Sequence, residues 1–169
     1  KSPLGKGPII LCLDQSASMR HIDSQSKGFT LALMSIAKKQ KRDFALITFD
    51  ETATTKIYPK GKITPQQMVA MCESFKGGGT NFRWPLEESL KLLKKSLKNA
   101  DVVFVTDGQD FVPQRFLDYF NGEKKKHQFF VISLLIGPNA DQKSVEGFSD
   151  RIYYAQDFYD ESAHDVFQI

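Results

Sequence analysis

Short apolar runs alternate along the chain with longer segments whose apolar residues recur every three or four positions. Residues 9–13 are apolar throughout and stop at Asp14, which predicts a buried central strand. Residues 22–40 carry Phe29, Leu33 and Ile36 at helical spacing with lysines on the other side, which predicts an amphipathic helix. The same criteria predict strands at residues 44–49, 53–58, 101–106, 129–135 and 152–155, and helices over residues 64–75, 86–97 and 142–148 and from residues 113 and 160 onward.

The order of these elements predicts the fold class. Strands that alternate with helices need crossover connections, so we expect a mostly parallel sheet. Residues 44–49 and 53–58 are separated only by a short link at Asp50 and Glu51, which predicts a hairpin. The predicted fold is therefore α/β: a Rossmann-like, doubly wound sheet of six strands, with one antiparallel edge strand and helices on both faces. In such sheets, ligands bind beyond the carboxyl ends of the strands.

Length and composition describe one globular domain. A chain of 169 residues with 41% hydrophobic and 25% charged residues has an ordinary globular composition. We assign residues 8–169 to a single domain and residues 1–7 to a turn-rich leader or linker. Because the chain begins at Lys1 and not at Met, we expect the domain to come from a longer protein.

Charge and cysteine content narrow the expected partners and compartment. The net charge of +3 is mild and dispersed, so no nucleic-acid partner is expected, and the lysine run at residues 124–126 is expected on a solvated helix face. Two cysteines, Cys12 and Cys72, are too few for a secreted disulfide scaffold. No apolar run approaches the roughly 18 residues of a membrane span. These features predict a cytoplasmic protein without a membrane span.

Three loops at the predicted ligand-binding edge carry oxygen-bearing side chains. Asp14, Ser16 and Ser18 follow the first predicted strand at alternate positions. Thr80 follows three glycines, and Asp107 follows the fourth predicted strand, residues 101–106. Each loop alone also fits an ordinary role as a helix N-cap, a flexible link or a turn. Because all three lie at the boundaries of elements in one sheet, we favour a shared site over three separate coincidences.

The chemistry of these side chains indicates a hard divalent cation. Hydroxyl and carboxylate oxygens, with no cysteine or histidine at ligand spacing, suit Mg²⁺, with Mn²⁺ as a possible substitute, and zinc is not expected. The glycines before Thr80 let the backbone approach closely, because they have no Cβ atoms. The loops at residues 14–18, 77–81 and 106–108 are therefore the candidate metal-binding segments.

The pattern Asp-x-Ser-x-Ser, a distal Thr after glycines and an Asp after a later strand resembles the metal-ion-dependent adhesion site of von Willebrand factor A-type domains. The resemblance covers nearly the whole chain, from about residue 7 to residue 167. It implies that Ser16, Ser18 and Thr80 bind the metal directly, that Asp14 and Asp107 act mainly through bound waters, and that a carboxylate of a protein partner completes the metal shell. One departure is Ala17, where the family usually has glycine, and we expect only a modest backbone adjustment.

Within that family, residues 31–37 and 75–80 resemble the bacterial ViaA and CoxE-like proteins. Those proteins are intracellular and carry the domain near the C-terminus. They act with AAA+ ATPases of the MoxR class in chaperone-like remodelling or metal-cofactor insertion. The resemblance therefore implies a protein-interaction module that is not an enzyme, and whose partner is a MoxR-type AAA+ ATPase.

Two other functional classes fit parts of this sequence, a phosphatase and an extracellular adhesion domain. A haloacid-dehalogenase-type phosphatase needs a second carboxylate two residues after its nucleophile, and position 16 is serine. An extracellular adhesion domain would share the fold and the site.

Four further residues lie near the metal loops in sequence. Phe82, Trp84 and Phe111 could equally rim a partner surface or pack beneath the loops. Asp110 is expected near the metal without binding it directly.

Overall fold

A six-stranded sheet in the order β3-β2-β1-β4-β5-β6 organises residues 7–108 and 110–169, which are the residues that this computed structural model describes. Its strands are β1 (Ile9–Asp14), β2 (Phe44–Phe49), β3 (Ala53–Tyr58), β4 (Asp101–Thr106), β5 (Phe130–Ile136) and β6 (Arg151–Ala155). Strands β2 and β3 pair antiparallel, and the other four pairs are parallel. The predicted sheet, including its antiparallel edge strand, is confirmed.

The helices follow the predicted order, although several boundaries differ. They are α1 (Asp23–Lys39), α2 (Pro65–Glu73), α3 (Arg83–Lys94), α4 (Gln114–His127) and α5 (Glu161–Asp165). The leucine helix was expected to reach Leu97 but ends at Lys94, because the chain turns and the Leu97 amide donates to the Leu92 carbonyl at 2.8 Å. Leu97 is still buried, so the regular spacing of buried leucines extends beyond the end of the helix. The short helix expected at residues 142–148 is a single 3-10 turn, Gln142–Ser144, with further turns after it.

The sheet separates two apolar layers, and alternating residues of each strand serve one layer or the other. Leu11 and Leu13 of β1 join the layer that contains Phe29 and Leu33 of α1. Their neighbours Ile10 and Cys12 face the opposite layer, which holds residues of α3 and α4. Side chains alternate across a strand, so a strand covered on both faces needs apolar residues at every position. Burial on both faces explains the unbroken apolar run at residues 9–13.

Side-chain hydrogen bonds fix the start of α2. The Thr64 hydroxyl accepts from the Gln67 amide at 3.1 Å, and the Gln67 side chain accepts from the Thr64 amide at 2.9 Å, which is a capping box. Across the two described ranges of the chain, every helix is too short or too polar to cross a lipid bilayer.

Candidate metal site

Asp14 closes β1 and its carboxylate is held at both oxygens. Oδ1 accepts a hydrogen bond from the Ser16 amide at 2.8 Å, and Oδ2 accepts one from the Thr106 hydroxyl at 2.7 Å. Strands β1 and β4 are parallel neighbours, so their carboxyl ends bring Asp14 and Thr106 to the same edge. The side chain is therefore buried, at 1% exposure, with its orientation fixed.

Burial makes the charge of Asp14 costly. It raises the pKa of Asp14 to about 6, and the nearby charge of Asp107 acts in the same direction, while hydrogen bonds from Thr106 and Ser16 partly oppose the rise. A cation at this edge would favour the ionised carboxylate. The end of β1 is thus a place where a positive charge would be stabilised.

Ser16 and Ser18 present two hydroxyl groups next to this carboxylate. Their Oγ atoms lie 3.1 Å apart, Ser16 is buried and Ser18 is exposed. Ser16 precedes the 3-10 turn Ala17–Ile22, but its side chain makes no capping hydrogen bond to that turn. The simple explanation of Ser16 as a helix N-cap therefore does not account for its hydroxyl, which is turned toward Ser18 instead.

Asp107 follows β4 and has a buried oxygen without a partner. Its Oδ1 atom makes no hydrogen bond to any described residue. Most buried polar atoms in proteins do have a partner, so an orphaned carboxylate oxygen at this edge calls for a water or an ion. The neighbouring Thr106 hydroxyl donates to Asp14 and accepts from the Gly108 amide at 3.0 Å, which ties the two aspartates to one turn.

The glycine loop that carries Thr80 runs directly beside the β1 loop. The Gly77 amide donates to the Gln15 carbonyl at 2.8 Å, and the Ala17 amide donates to the Gly78 carbonyl at 2.9 Å. Thr80 is half-buried, and within residues 7–108 and 110–169 no hydrogen bond joins it to the other four predicted ligands. The structure therefore brings Asp14, Ser16, Ser18 and Asp107 to one edge, and places Thr80 in the adjoining loop.

Asp50, which the sequence analysis treated only as part of a hairpin link, holds that loop in place. Its Oδ2 accepts from the Gly78 amide at 3.1 Å and its carbonyl accepts from the Asn81 amide at 2.9 Å, so Asp50 anchors both sides of Thr80. Its Oδ1 accepts from the Thr52 amide and hydroxyl at 2.9 and 2.8 Å. An Asp with a Thr two residues later is typical of an Asx turn, and this was the available signal in the sequence.

The surroundings of Asp50 lower the pKa of its carboxyl group. Gly78 lies very close to the same carboxylate. Burial raises the pKa of Asp50, but the hydrogen bonds from Thr52 and Gly78 and the charge of Lys76 outweigh it, so the pKa lies below its ordinary value. A Cβ atom on Gly78 would lie 2.5 Å from Asp50 Oδ2. A larger residue at position 78 would therefore have to displace the Asp50 carboxylate, and glycine avoids this clash.

The donor set of the site consists of hydroxyls and carboxylates. Among the described residues, no group of three or more His, Cys, Asp or Glu side chains is placed to hold a metal ion without other ligands. A cation bound here would therefore depend on the hydroxyls of Ser16, Ser18 and Thr80 as well as on the two aspartates. This matches the chemistry of a hard cation, which takes oxygen ligands.

The aromatic residues near the site divide into two groups. Phe82 is fully buried, with its ring centroid 5.0 Å from that of Phe104, so it packs beneath the loops. Trp84 and Phe111 are 42% and 70% exposed. Asp110 accepts a hydrogen bond from the Phe82 amide at 2.9 Å, which fastens the loop after β4 to the start of α3 and keeps the two exposed rings in neighbouring segments.

The sequence is similar to one protein family and to several curated proteins. The sequence profile described as "von Willebrand factor type A domain" matches residues 9–109. The protein MJ0811 of Methanocaldococcus jannaschii is 33% identical over 169 aligned residues, which cover 96% of this chain and 38% of that protein. The "Regulatory protein ViaA" of Proteus mirabilis is 33% identical over 125 residues, 73% of this chain and 25% of that protein. The chain thus spans well under half the length of these relatives.

Solved structures agree on the fold. A von Willebrand factor type A protein from Catenulispora acidiphila superimposes with a TM-score of 0.71 over 96% of this chain and 41% of its own, at 16% identity. Proximal thread matrix protein 1 from the mussel byssus, solved with zinc in its MIDAS motif, gives a TM-score of 0.68 over 98% of this chain and 46% of its own, at 14% identity. With the family profile covering more than half of the sequence, this chain belongs to the von Willebrand factor type A domain family.

Proposed function

We propose that this domain is a metal-dependent protein-interaction module. It binds one divalent cation through Asp14, Ser16, Ser18, Thr80 and Asp107, and it uses that cation to capture an Asp or Glu side chain of a partner protein. The proposal is for binding and not for catalysis. The haloacid-dehalogenase-type alternative gains no support from the family assignment.

One observation carries the proposal: paired hydroxyls lie next to a buried carboxylate, and a second carboxylate close to the first has an oxygen without a partner. The Oγ atoms of Ser16 and Ser18 are 3.1 Å apart, Asp14 is buried behind them, and Asp107 Oδ1 has no hydrogen-bond partner among the described residues. A divalent cation would compensate both carboxylates and engage both hydroxyls. A bound cation would also account for the Ser16 hydroxyl, which does not cap the turn that it precedes.

The same donor set accounts for the capture of a carboxylate. Hydroxyl groups are neutral, so a cation held by them keeps a large part of its charge uncompensated. An external carboxylate can therefore be attracted strongly to the open side of the metal. Ser18 is exposed, and it marks the side from which a partner would approach.

We propose Mg²⁺ as the resident ion, with Mn²⁺ as a substitute, because hard oxygen ligands favour both. The mussel protein was solved with zinc in its own MIDAS motif, so Zn²⁺ is included as a competitor in the test. A site that prefers zinc would retain the interaction proposal and change the metal.

Calorimetric titration of the domain with Mg²⁺ tests the metal site. We expect saturable binding to the wild type that Asp14→Ala and Ser16→Ala lose, while all variants keep the circular dichroism spectrum of the wild type. Ser35→Ala is the matched control, because Ser35 is an exposed serine of α1. Absence of binding by a folded wild type to Mg²⁺, Mn²⁺ and Zn²⁺ would contradict the proposal.

For the partner, we propose an AAA+ ATPase of the MoxR class and a cytoplasmic location. Support comes from the similarity to the regulatory protein ViaA, and from two unpaired cysteines where an oxidising compartment would favour disulfides. An affinity-tagged full-length protein should enrich such an ATPase from its own cells, and Thr80→Ala should lose it. Equal recovery by both proteins, or no ATPase at all, would contradict this assignment.

A further inference from the structure

A groove of about 560 Å³ separates α2 from the face of strands β2 and β3. One wall is a single side of α2, because Gln67, Ala70, Met71 and Ser74 follow helical spacing. The other wall comes from β2 and β3, and its residues are Leu46, Thr48, Thr54, Lys56, Ile57 and Tyr58. Eight of the nine residues of α2 are exposed, with Met71 as the buried one, so this helix covers the sheet only loosely.

The free edge of β3 lies along the same groove. Within the described part of the chain, β3 is the last strand of the sheet and pairs only with β2. The outer edge of such a strand presents backbone N–H and C=O groups that an added extended segment can pair with. The groove therefore combines apolar walls with an unpaired strand edge.

Lysines dominate the charge of this region. Lys56 and Lys76 line the groove, and among the described lining residues Glu73 alone is acidic. Beyond the end of β3, the lysine cluster comprises the exposed residues Lys38, Lys39, Lys41, Lys60 and Lys62. Within residues 7–108 and 110–169, none of these five lysines forms a side-chain ion pair.

The turn after β3 brings the two halves of the lysine cluster together. Gly61 has φ +69°, and a Cβ atom there would lie 2.6 Å from the Lys38 amide nitrogen. The turn thus rests directly on the last part of α1. Lys60 and Lys41 adopt φ of 55° and 56°, a left-handed conformation that Gly and Asn adopt more easily. Lysine at both positions is costly for the backbone, which favours a role for the side-chain charge.

We infer that the groove and the lysine cluster form a second docking surface, which takes an extended acidic segment of a protein partner. Apolar side chains of the segment enter the groove beside Met71 and Tyr58, and its carboxylates face Lys60 and Lys62. Charge complementarity identifies the segment as acidic, and the apolar walls with the open β3 edge favour a polypeptide over a nucleic acid or a lipid surface.

The lysine cluster lies apart from the candidate metal site, and binding at this surface needs no cation. The lysine cluster follows the end of β3 and of α1, at the opposite edge of the sheet from Asp14. Gln15, Phe75 and Lys76 line the other end of the groove, next to the metal loops. A partner bound at both places would gain affinity from the linkage, because its second contact becomes intramolecular.

Fluorescence anisotropy with a labelled peptide, in which Glu and Leu alternate over about twelve residues, tests the surface. The titration is run in EDTA at low salt, so that failure of the metal proposal cannot produce a negative result. We expect saturable binding that Lys60→Glu with Lys62→Glu weakens by at least about tenfold. Ala70→Glu, which places a charge on the exposed apolar wall, should weaken it as well.

The control must separate this surface from general attraction by a basic protein. Lys125→Glu with Lys126→Glu makes the same change in net charge on the exposed side of α4 and should leave binding unchanged. Equal loss by both double variants would overturn the inference. It would also be overturned if vesicles that contain phosphatidylserine, or duplex DNA, bound through Lys60 and Lys62 while the peptide did not.

Discussion

The two edges of the sheet treat buried carboxylates in opposite ways. At the amino edge, Asp101 begins β4 and forms an ion pair with Arg42 at 2.8 Å, with both side chains almost fully buried. At the carboxyl edge, Asp14 and Asp107 lie close enough for the charge of one to raise the pKa of the other. Asp101 has an arginine as its partner, whereas among the described residues neither Asp14 nor Asp107 forms an ion pair.

The amino edge illustrates what a finished buried site requires. The Arg42 guanidinium also donates to the carbonyls of Gly7 and Ile169 and to the Gln40 side chain, so its donors are used. Burying a charge is tolerated when it is paired and hydrogen-bonded. At the carboxyl edge, Asp14 accepts only from neutral donors and Asp107 Oδ1 has no hydrogen-bond partner among the described residues, and this difference is what indicates an ion from outside the chain.

The largest expected effect comes from breaking the finished edge. Arg42→Ala removes the buried Arg42–Asp101 ion pair, and we expect the free energy of unfolding to fall by about 3–5 kcal/mol in urea denaturation. Arg83→Ala is the control, because the Arg83–Glu87 pair is a surface pair with Arg83 50% exposed, and it should cost at most about 0.5 kcal/mol. Similar losses in the two variants would mean that the buried pair is not special.

The second largest effect is expected when Mg²⁺ binds at the carboxyl edge. Mg²⁺ at about 100 times its dissociation constant should stabilise the wild-type domain by about 2.7 kcal/mol, since it binds only the folded state. Asp14→Ala should gain nothing over the same range, as followed by thermal unfolding with and without EDTA. If Mg²⁺ stabilised Asp14→Ala as much as the wild type, the ion would be bound elsewhere.

A smaller effect should follow from loosening the loop that carries Thr80. Asp50→Ala removes the acceptor of the Gly78 amide, and supporting residues of this kind typically change metal affinity by about tenfold or more. Asp43→Ala is the matched control, because Asp43 also accepts a backbone hydrogen bond, from Lys60, at the opposite edge. Calorimetric Mg²⁺ titration of both variants distinguishes loop positioning from a general loss of stability, and equal loss of affinity would exclude the positioning role.

The smallest effect concerns the departure at Ala17. The Ala17 amide donates to the Gly78 carbonyl, and Ala17 does not have a positive φ, so glycine is not required there. Ala17→Gly should therefore leave Mg²⁺ affinity within about threefold and lower the free energy of unfolding by roughly 0.5 kcal/mol, through the greater freedom of the unfolded chain. A large gain in affinity would show that alanine does restrict the metal loop.

The features that were predictable from the sequence are those with local causes. The apolar run at residues 9–13 ends at Asp14 because β1 is covered on both faces until it reaches the edge, and this placed the aspartate at the carboxyl end correctly. The predicted end of α3 was wrong. Leu97 is buried at a position that continues the helical spacing of the leucines, although the chain has already left the helix at Lys95. The spacing of apolar residues predicts which side chains face the core, but it does not predict the backbone conformation that places them there.

The features that were missed depend on contacts between distant residues. Asp50 and Gly78 are 28 positions apart, and Arg42 and Asp101 are 59 apart, so neither pair leaves a local pattern. The five predicted ligands were found through a family resemblance. The structure brings four of them to one edge and Thr80 to the adjoining loop, and their role as metal ligands stays a prediction.

The most direct test of the central claim is a crystal structure of the domain grown with Mn²⁺, with anomalous scattering recorded at the manganese edge. The account predicts one strong peak at the carboxyl edge of the sheet, at a coordination distance of about 2.1 Å from the hydroxyls of Ser16 and Ser18. No peak there at full Mn²⁺ saturation, or a peak held by other side chains, would contradict it.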